Sequence, residues 1–133
     1  ENRKGRLYEI CSLLGEAGIN IRALTIAETE TFGVLRMVVD KPAQAAELFR
    51  KHHVTVNQTD VVAVEVPDTP GGLANVLKIL SDQNVNVEYM YGFVKKFSEK
   101  ALLVFRFDDP ARAHQVLMAA GVTVIGEKDI TGL

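Results

Sequence analysis

Shifted by 66 positions, the sequence lies on itself: Leu7 meets Leu73, Ile10 meets Val76, Cys11 meets Leu77, Leu14 meets Leu80, Ile19 meets Val85, Asn20 meets Asn86 and Ile21 meets Val87. After a two-residue slip the offset becomes 68, so that Asp40 meets Asp108, Pro42 meets Pro110, Phe49 meets Leu117, and VTV at 54–56 meets VTV at 122–124. A chain of 133 residues that repeats over nearly its whole length holds two copies of one small unit. Its fold must be one that the unit can build twice.

Each copy reads as helix, strand, strand, helix, strand. Leu7, Ile10, Cys11 and Leu14 stand at i, i+3, i+4, i+7, as do Leu73, Val76, Leu77 and Leu80, which gives each first helix an apolar stripe. Gly18 suits the left-handed residue that closes such a helix, and its counterpart Asn84 is the next best residue for that conformation. NIRALTI and NVEYMYGFV follow, then GVLRMVV and ALLVFRF, rich in β-branched and aromatic residues and stopped by Asp-x-Pro. Pro42 and Pro110 sit where proline is tolerated, in the first turn of a second helix. DVVAVEV at 60–66 is a strand that leads into the second copy, and at the offset of 66 its partner falls ahead of residue 1. The expectation is that this strand is not represented in the sequence. With it restored, each unit is β-α-β-β-α-β, so the fold class expected is α+β: two ferredoxin-like units, each an antiparallel sheet with both helices on one face. The division expected is 1–59 and 60–133.

In GVLRMVV both alternating sets of side chains are largely apolar, Leu35, Met37 and Val39 on one face and Val34 and Val38 on the other, with Arg36 the break in the second set. A half-solvated strand alternates more cleanly, so the second sheet face is expected to be covered by the other repeat or by another chain. The formal charge of -2 leaves no excess of positive charge for phosphates and argues against a nucleic-acid partner. The single cysteine, Cys11, forms no internal disulfide, which fits a reducing, cytoplasmic setting. Because it occupies a stripe position held by Leu77, it reads as a small buried hydrophobe. No apolar run approaches the ~20 residues of a membrane span. None of His52, His53 and His114 recurs in the other copy or has a second ligand at metal-like spacing, so surface histidines are expected and no metal or cofactor.

The most distinctive stretch is PDTPGGL at 67–73, with a weaker version, ENRKGRL, at 1–7. The first turn of a helix carries N–H groups without intrahelical partners and a partial positive charge, and glycine there lets a carboxylate approach the backbone. Gly5 and Gly71 stand in both copies, whereas Gly72 is replaced by Arg6 and so reads as optional. As a plain strand-to-helix turn the loop needs no ligand at all.

Taken with the turns AGIN and QNVN and the Asp-x-Pro helix openings, these loops make the chain resemble a tandem pair of ACT domains, small regulatory modules that bind amino acids. The resemblance spans essentially all 133 residues. It implies an amino-acid site between the glycine loop and a neighbouring domain's strand. Carried over by position, the candidates are Asp68, Thr69, Gly71, Gly72 and Leu73, with Asn86 and Tyr89, in copy two, and Asn2, Lys4, Gly5, Arg6, Leu7 and Asn20 in copy one. Asp68 suits a ligand ammonium better than Asn2 does. Asn20 and Asn86 also read simply as residues leaving a turn. Lys4 and Arg6 depart from the proline and small residue usual in the family, so the two sites are not expected to be equivalent.

The function expected is a non-catalytic sensor in which a small amino acid shifts the balance between assembly or partner-binding states, in a homo-oligomer such as a homodimer. Three rivals stand beside it. A structural module can use the apolar face for oligomerisation alone. An acylphosphatase-like enzyme would need Arg3 or Arg6 in its phosphate turn, yet copy two has no such arginine and no nucleophile–base pair is visible. RNA binding through Tyr89, Tyr91 and Phe93 lacks the basic pattern that such sheets carry.

Overall fold

A computed structural model describes residues 5–28, 33–93 and 100–125. The first repeat contributes α1 (Arg6–Glu16), β1 (Ile21–Glu28), β2 (Gly33–Val39) and α2 (Pro42–Lys51). The second contributes β3 (Val62–Pro67), α3 (Gly72–Asp82), β4 (Val87–Gly92), β5 (Lys100–Phe107), α4 (Pro110–Ala119) and β6 (Val124–Ile125).

The punctuation legible in the sequence builds the same joints twice. Gly5 and Gly71, at φ 83° and 82°, cap α1 and α3 in the left-handed region without any side-chain cap. Gly18 and Asn84 take φ 72° and 56° after the same two helices. There Ile19 N–H donates to Leu14 O at 2.9 Å and Val85 N–H to Leu80 O at 2.9 Å, so each chain reversal is locked by the same main-chain bond. Each Asp-x-Pro does two jobs. Asp40 Oδ1 accepts from Asn20 N–H at 2.9 Å and Asp108 Oδ1 from Asn86 N–H at 3.1 Å, tying the start of one strand to the end of the next. The prolines then open α2 and α4.

The second repeat is a complete ferredoxin-like unit. Its sheet has the order β4-β5-β3-β6, all pairs antiparallel, and Val64 and Val66 of β3 pack with Val76, Leu80, Phe105, Phe107, Ala113 and Leu117 in one core. The first repeat has a two-stranded sheet, β1-β2, over a smaller core of Leu14, Ile19, Val39, Ala45 and Phe49. Here an expectation is corrected: VTV at 54–56 is not a strand. Its twin, β6, is a strand because it pairs with β3 through Ala63↔Ile125 and Val64↔Val124. Among the described residues no strand pairs with 54–56, and without ladder bonds a β-rich tripeptide has no reason to extend into a sheet.

The repeats meet over part of each other's second sheet face. Val38 of β2 and Phe93 pack against the fully buried Ala63 and the buried Leu102, and an isolated antiparallel bridge joins Ala23 to Phe93. This accounts for the apolar Val38 on the second face of β2, while Val34 on the same face stays exposed.

Candidate functional site

Where the first glycine turn meets the second repeat, the molecule has an open groove of about 1440 Å³. Gly5, Arg6 and Leu7 line it from the turn, Ile26 from β1, and Glu88, Tyr89 and Tyr91 from β4. Gly5 O accepts from Glu9 N–H at 3.1 Å, the first helical bond, so the amides of Arg6, Leu7 and Tyr8 form the turn that has no intrahelical acceptor. The sequence pattern therefore brings Gly5, Arg6, Leu7 and Tyr89 onto one cavity from two repeats. Asn2 and Lys4 lie outside the described residues.

The wall contributed by β4 is aromatic and charged. Arg36 of β2, the one charge on its strand face, lays its guanidinium 4.0 Å from the centroid of the Tyr89 ring. Tyr89 and Tyr91 stack with centroids 6.3 Å apart. Arg106 Nε faces Glu88 Oε2 at 3.5 Å, and its Nη1 donates to Asp60 O at 2.8 Å. Tyr91 is half-buried, and desolvation first, then the neighbouring Tyr89, pushes its phenol up to about 12, with Arg36 pulling the other way. The surface thus offers cations, a carboxylate and ring faces within one cavity. Arg36, Glu88 and Arg106 were not among the residues picked from the sequence, although Arg36 had a signal, as a lone charge in an otherwise apolar alternate set.

Copy two's turn is placed differently. Asp68, Thr69 and Gly71 are exposed, and neither they nor Gly72 and Leu73 line the groove. Gly72 N–H donates back to Thr69 O at 3.0 Å. Gly72 is not optional: a Cβ there would lie 2.1 Å from Pro67 O, so glycine is required by the close passage of the end of β3. Arg6 stands at the corresponding position of copy one and lines the groove. Asn20 and Asn86 use their main-chain groups to hold Asp40 and Asp108, which is the turn reading of both. His52, His53 and His114 are exposed, and among the described residues no group of three or more His, Cys, Asp or Glu is placed to hold a metal. No described helix is long and apolar enough to cross a membrane.

One βαββαβ unit beside a second that repeats its αββα part, both with glycine-opened first helices, points to one family, and the sequence matches the description ACT domain pair over residues 1–133. The chain belongs to the ACT domain pair family. This ACT pair is similar to the crystal structure of protein BT0572 from Bacteroides thetaiotaomicron, at 38% identity and a TM-score of 0.93, the match covering 100% of this chain and 91% of that one. It also matches aspartate kinase from Synechocystis at 20% identity and a TM-score of 0.39, over 92% of this chain and 26% of that one. No curated protein matches it.

Proposed function

We propose that this ACT pair is a non-catalytic regulatory protein that binds a small amino acid at the seam between its units, which we divide at 1–59 and 60–133. The observation that carries the reading is the shared cavity. The glycine turn of one repeat, with its first-turn amides, stands on the same groove as Tyr89, Glu88 and Arg36. A helix N-terminus suits a carboxylate, and a carboxylate with ring faces suits an ammonium. The family membership supports the same ligand class. Copy two's turn, exposed at Asp68–Gly71, lacks a facing strand within the described chain. On this reading its site is completed by a second copy, in a homodimer, and the two turns differ in affinity. Binding shifts assembly or partner preference by no more than the ligand's differential affinity for the two states.

The test is a thermal-shift screen against the twenty amino acids, followed by calorimetry. A ligand held at about a hundred times its dissociation constant stabilises the folded chain by about 2.7 kcal/mol. A stabilising amino acid whose effect is lost in Tyr89→Ala supports the seam. A folded chain that none of the twenty stabilises overturns the proposal and leaves the apolar seam as an assembly surface alone.

A further inference from the structure

Arg6, Arg36 and Arg106 all line the groove, and their charges are answered unequally. Arg6 Nη1 meets Glu9 Oε2 at 3.1 Å. Arg106 faces Glu88 Oε2 at 3.5 Å and donates to Asp60 O at 2.8 Å. Among the described residues Arg36 has no carboxylate or carbonyl of this kind; what holds it is the Tyr89 ring, whose centroid lies 4.0 Å from the guanidinium carbon. A ring takes the face of a guanidinium and leaves the five N–H donors around its edge unspent. The neighbours do not answer the charge either. Glu88 is engaged with Arg106, and Tyr91, its phenol pushed up to about 12 chiefly by burial, is neutral at physiological pH.

The repeat shows what is unusual about the position. At the offset of 68, Arg36 corresponds to Val104, which is fully buried. On its own strand it shares a face with Val34 and Val38, and Thr25 stands opposite it on β1. The template therefore calls for an apolar side chain here, and the first repeat supplies a partly buried cation instead. A cation withdrawn from water and left without an anion is costly to keep.

We propose that Arg36 sets the specificity of the groove, and that the amino acid bound there carries a second carboxylate, on its side chain. This rests on the reading of the groove as an amino-acid site. In that reading the first-turn amides take the α-carboxylate, so the free edge of Arg36 is left for another one, held through paired N–H donors. Aspartate and glutamate are the amino acids with that chemistry. Because Arg36 comes from the first repeat and its ring from the second, a carboxylate held on the pair is read by both.

Calorimetry of the 133-residue chain with aspartate, asparagine, glutamate and glutamine, at neutral pH and fixed ionic strength, tests the assignment. One acid is expected to bind about tenfold or more tightly than its own amide, the worth of a hydrogen bond to a charged group. Arg36→Met should bring acid and amide level. Arg36→Lys, which keeps the charge without the planar fork, should leave a smaller preference. An acid preference that survives Arg36→Met overturns the proposal; if that variant does not fold, an undiminished preference in Arg36→Lys does the same. A neutral amino acid that binds as tightly as either acid, and is lost in Tyr89→Ala, overturns the dicarboxylate assignment and leaves the seam site standing. If none of the twenty amino acids binds the folded chain, the site reading fails and this proposal with it.

Discussion

The two repeats share a sequence template and differ in what it becomes. Around Gly72, β3 runs so close that a single Cβ would meet Pro67 O at 2.1 Å, and Phe105, Phe107 and Leu117 are completely buried. In the first repeat Arg6 lines the groove, and Met37, the counterpart of Phe105, is only partly buried. Helices, caps and hairpins form in both because their causes are local. A central strand's contribution is not local: it supplies ladder bonds to two neighbours and a row of side chains to the core. In the second repeat β3 does both, and among the described residues of the first repeat no strand does.

The sharpest way to break the comparison is at the turn itself. Gly72→Ala forces its methyl into the Pro67 carbonyl, and neither backbone can give way without displacing the end of β3, so a loss of about 3 kcal/mol or more is expected. The paired change, Arg6→Ala, removes a contact to Glu9 Oε2 at 3.1 Å on a partly exposed helix surface, a change of about 0.5 kcal/mol or less. Urea unfolding of both variants measures the difference. Equal losses would show that the two turns are built alike.

Core truncation comes next. Leu117 is fully buried beneath β3, and Leu117→Ala is expected to cost about 3 kcal/mol. Phe49, its counterpart, removes more atoms when cut back, yet one side of it borders the groove, where neighbours and solvent can enter. Phe49→Ala is therefore expected to cost less than Leu117→Ala, about 2 kcal/mol, against the order that side-chain size alone dictates. A larger loss at Phe49 would mean that the groove is closed in solution.

The glycine caps sharpen the likeness rather than the difference. Gly5 and Gly71 hold φ of 83° and 82° with nothing within 4 Å of an added Cβ, so only conformational strain opposes substitution. Gly5→Ala and Gly71→Ala should each cost about 1 kcal/mol, equal within error, by thermal or chemical melting. His53 makes the complementary point, holding φ 57° where its counterpart Gly121 holds 78°. The second repeat relieves at Gly121 a strain that the first carries at His53.

How much of this was legible follows from the same distinction between local and distant causes. The helix stripes, the left-handed Gly18 and Asn84, the Asp-x-Pro joints and the covering of β2's second face at Val38, though not at Val34, were readable, because each depends on residues near in sequence or on a strand's own alternation. The unpaired state of residues 54–56 was not, since VTV at 122–124 is the same tripeptide and only its ladder partner differs. The need for Gly72 was hidden for a related reason: aligning it with Arg6 made it look dispensable, and the carbonyl that requires it belongs to the preceding strand. Of the residues named by position, Gly5, Arg6, Leu7 and Tyr89 line the groove, whereas the pairing of Arg36 with Tyr89 needed the crossing of two sheets that no periodicity encodes.

That crossing gives the smallest effect and the most specific readout. Tyr91 belongs to the seam, stacked on Tyr89 beside Arg36, and its phenol is raised from its usual 10 to about 12, chiefly by burial. A phenol whose ionisation is disfavoured by folding binds its proton more tightly in the native state than in the unfolded one. Its contribution to stability is thus intact below pH 10 and is lost as the pH climbs from 10 towards 12. Ultraviolet titration of the folded chain should show one tyrosine ionising near pH 12, absent from Tyr91→Phe. Arg36→Ala should move that step higher still, because the guanidinium is the one influence favouring the phenolate. If removing Arg36 instead lets Tyr91 ionise near 10, the residue has become solvated, and what holds the seam closed is the arginine laid across Tyr89 rather than the apolar contacts of Val38 and Phe93.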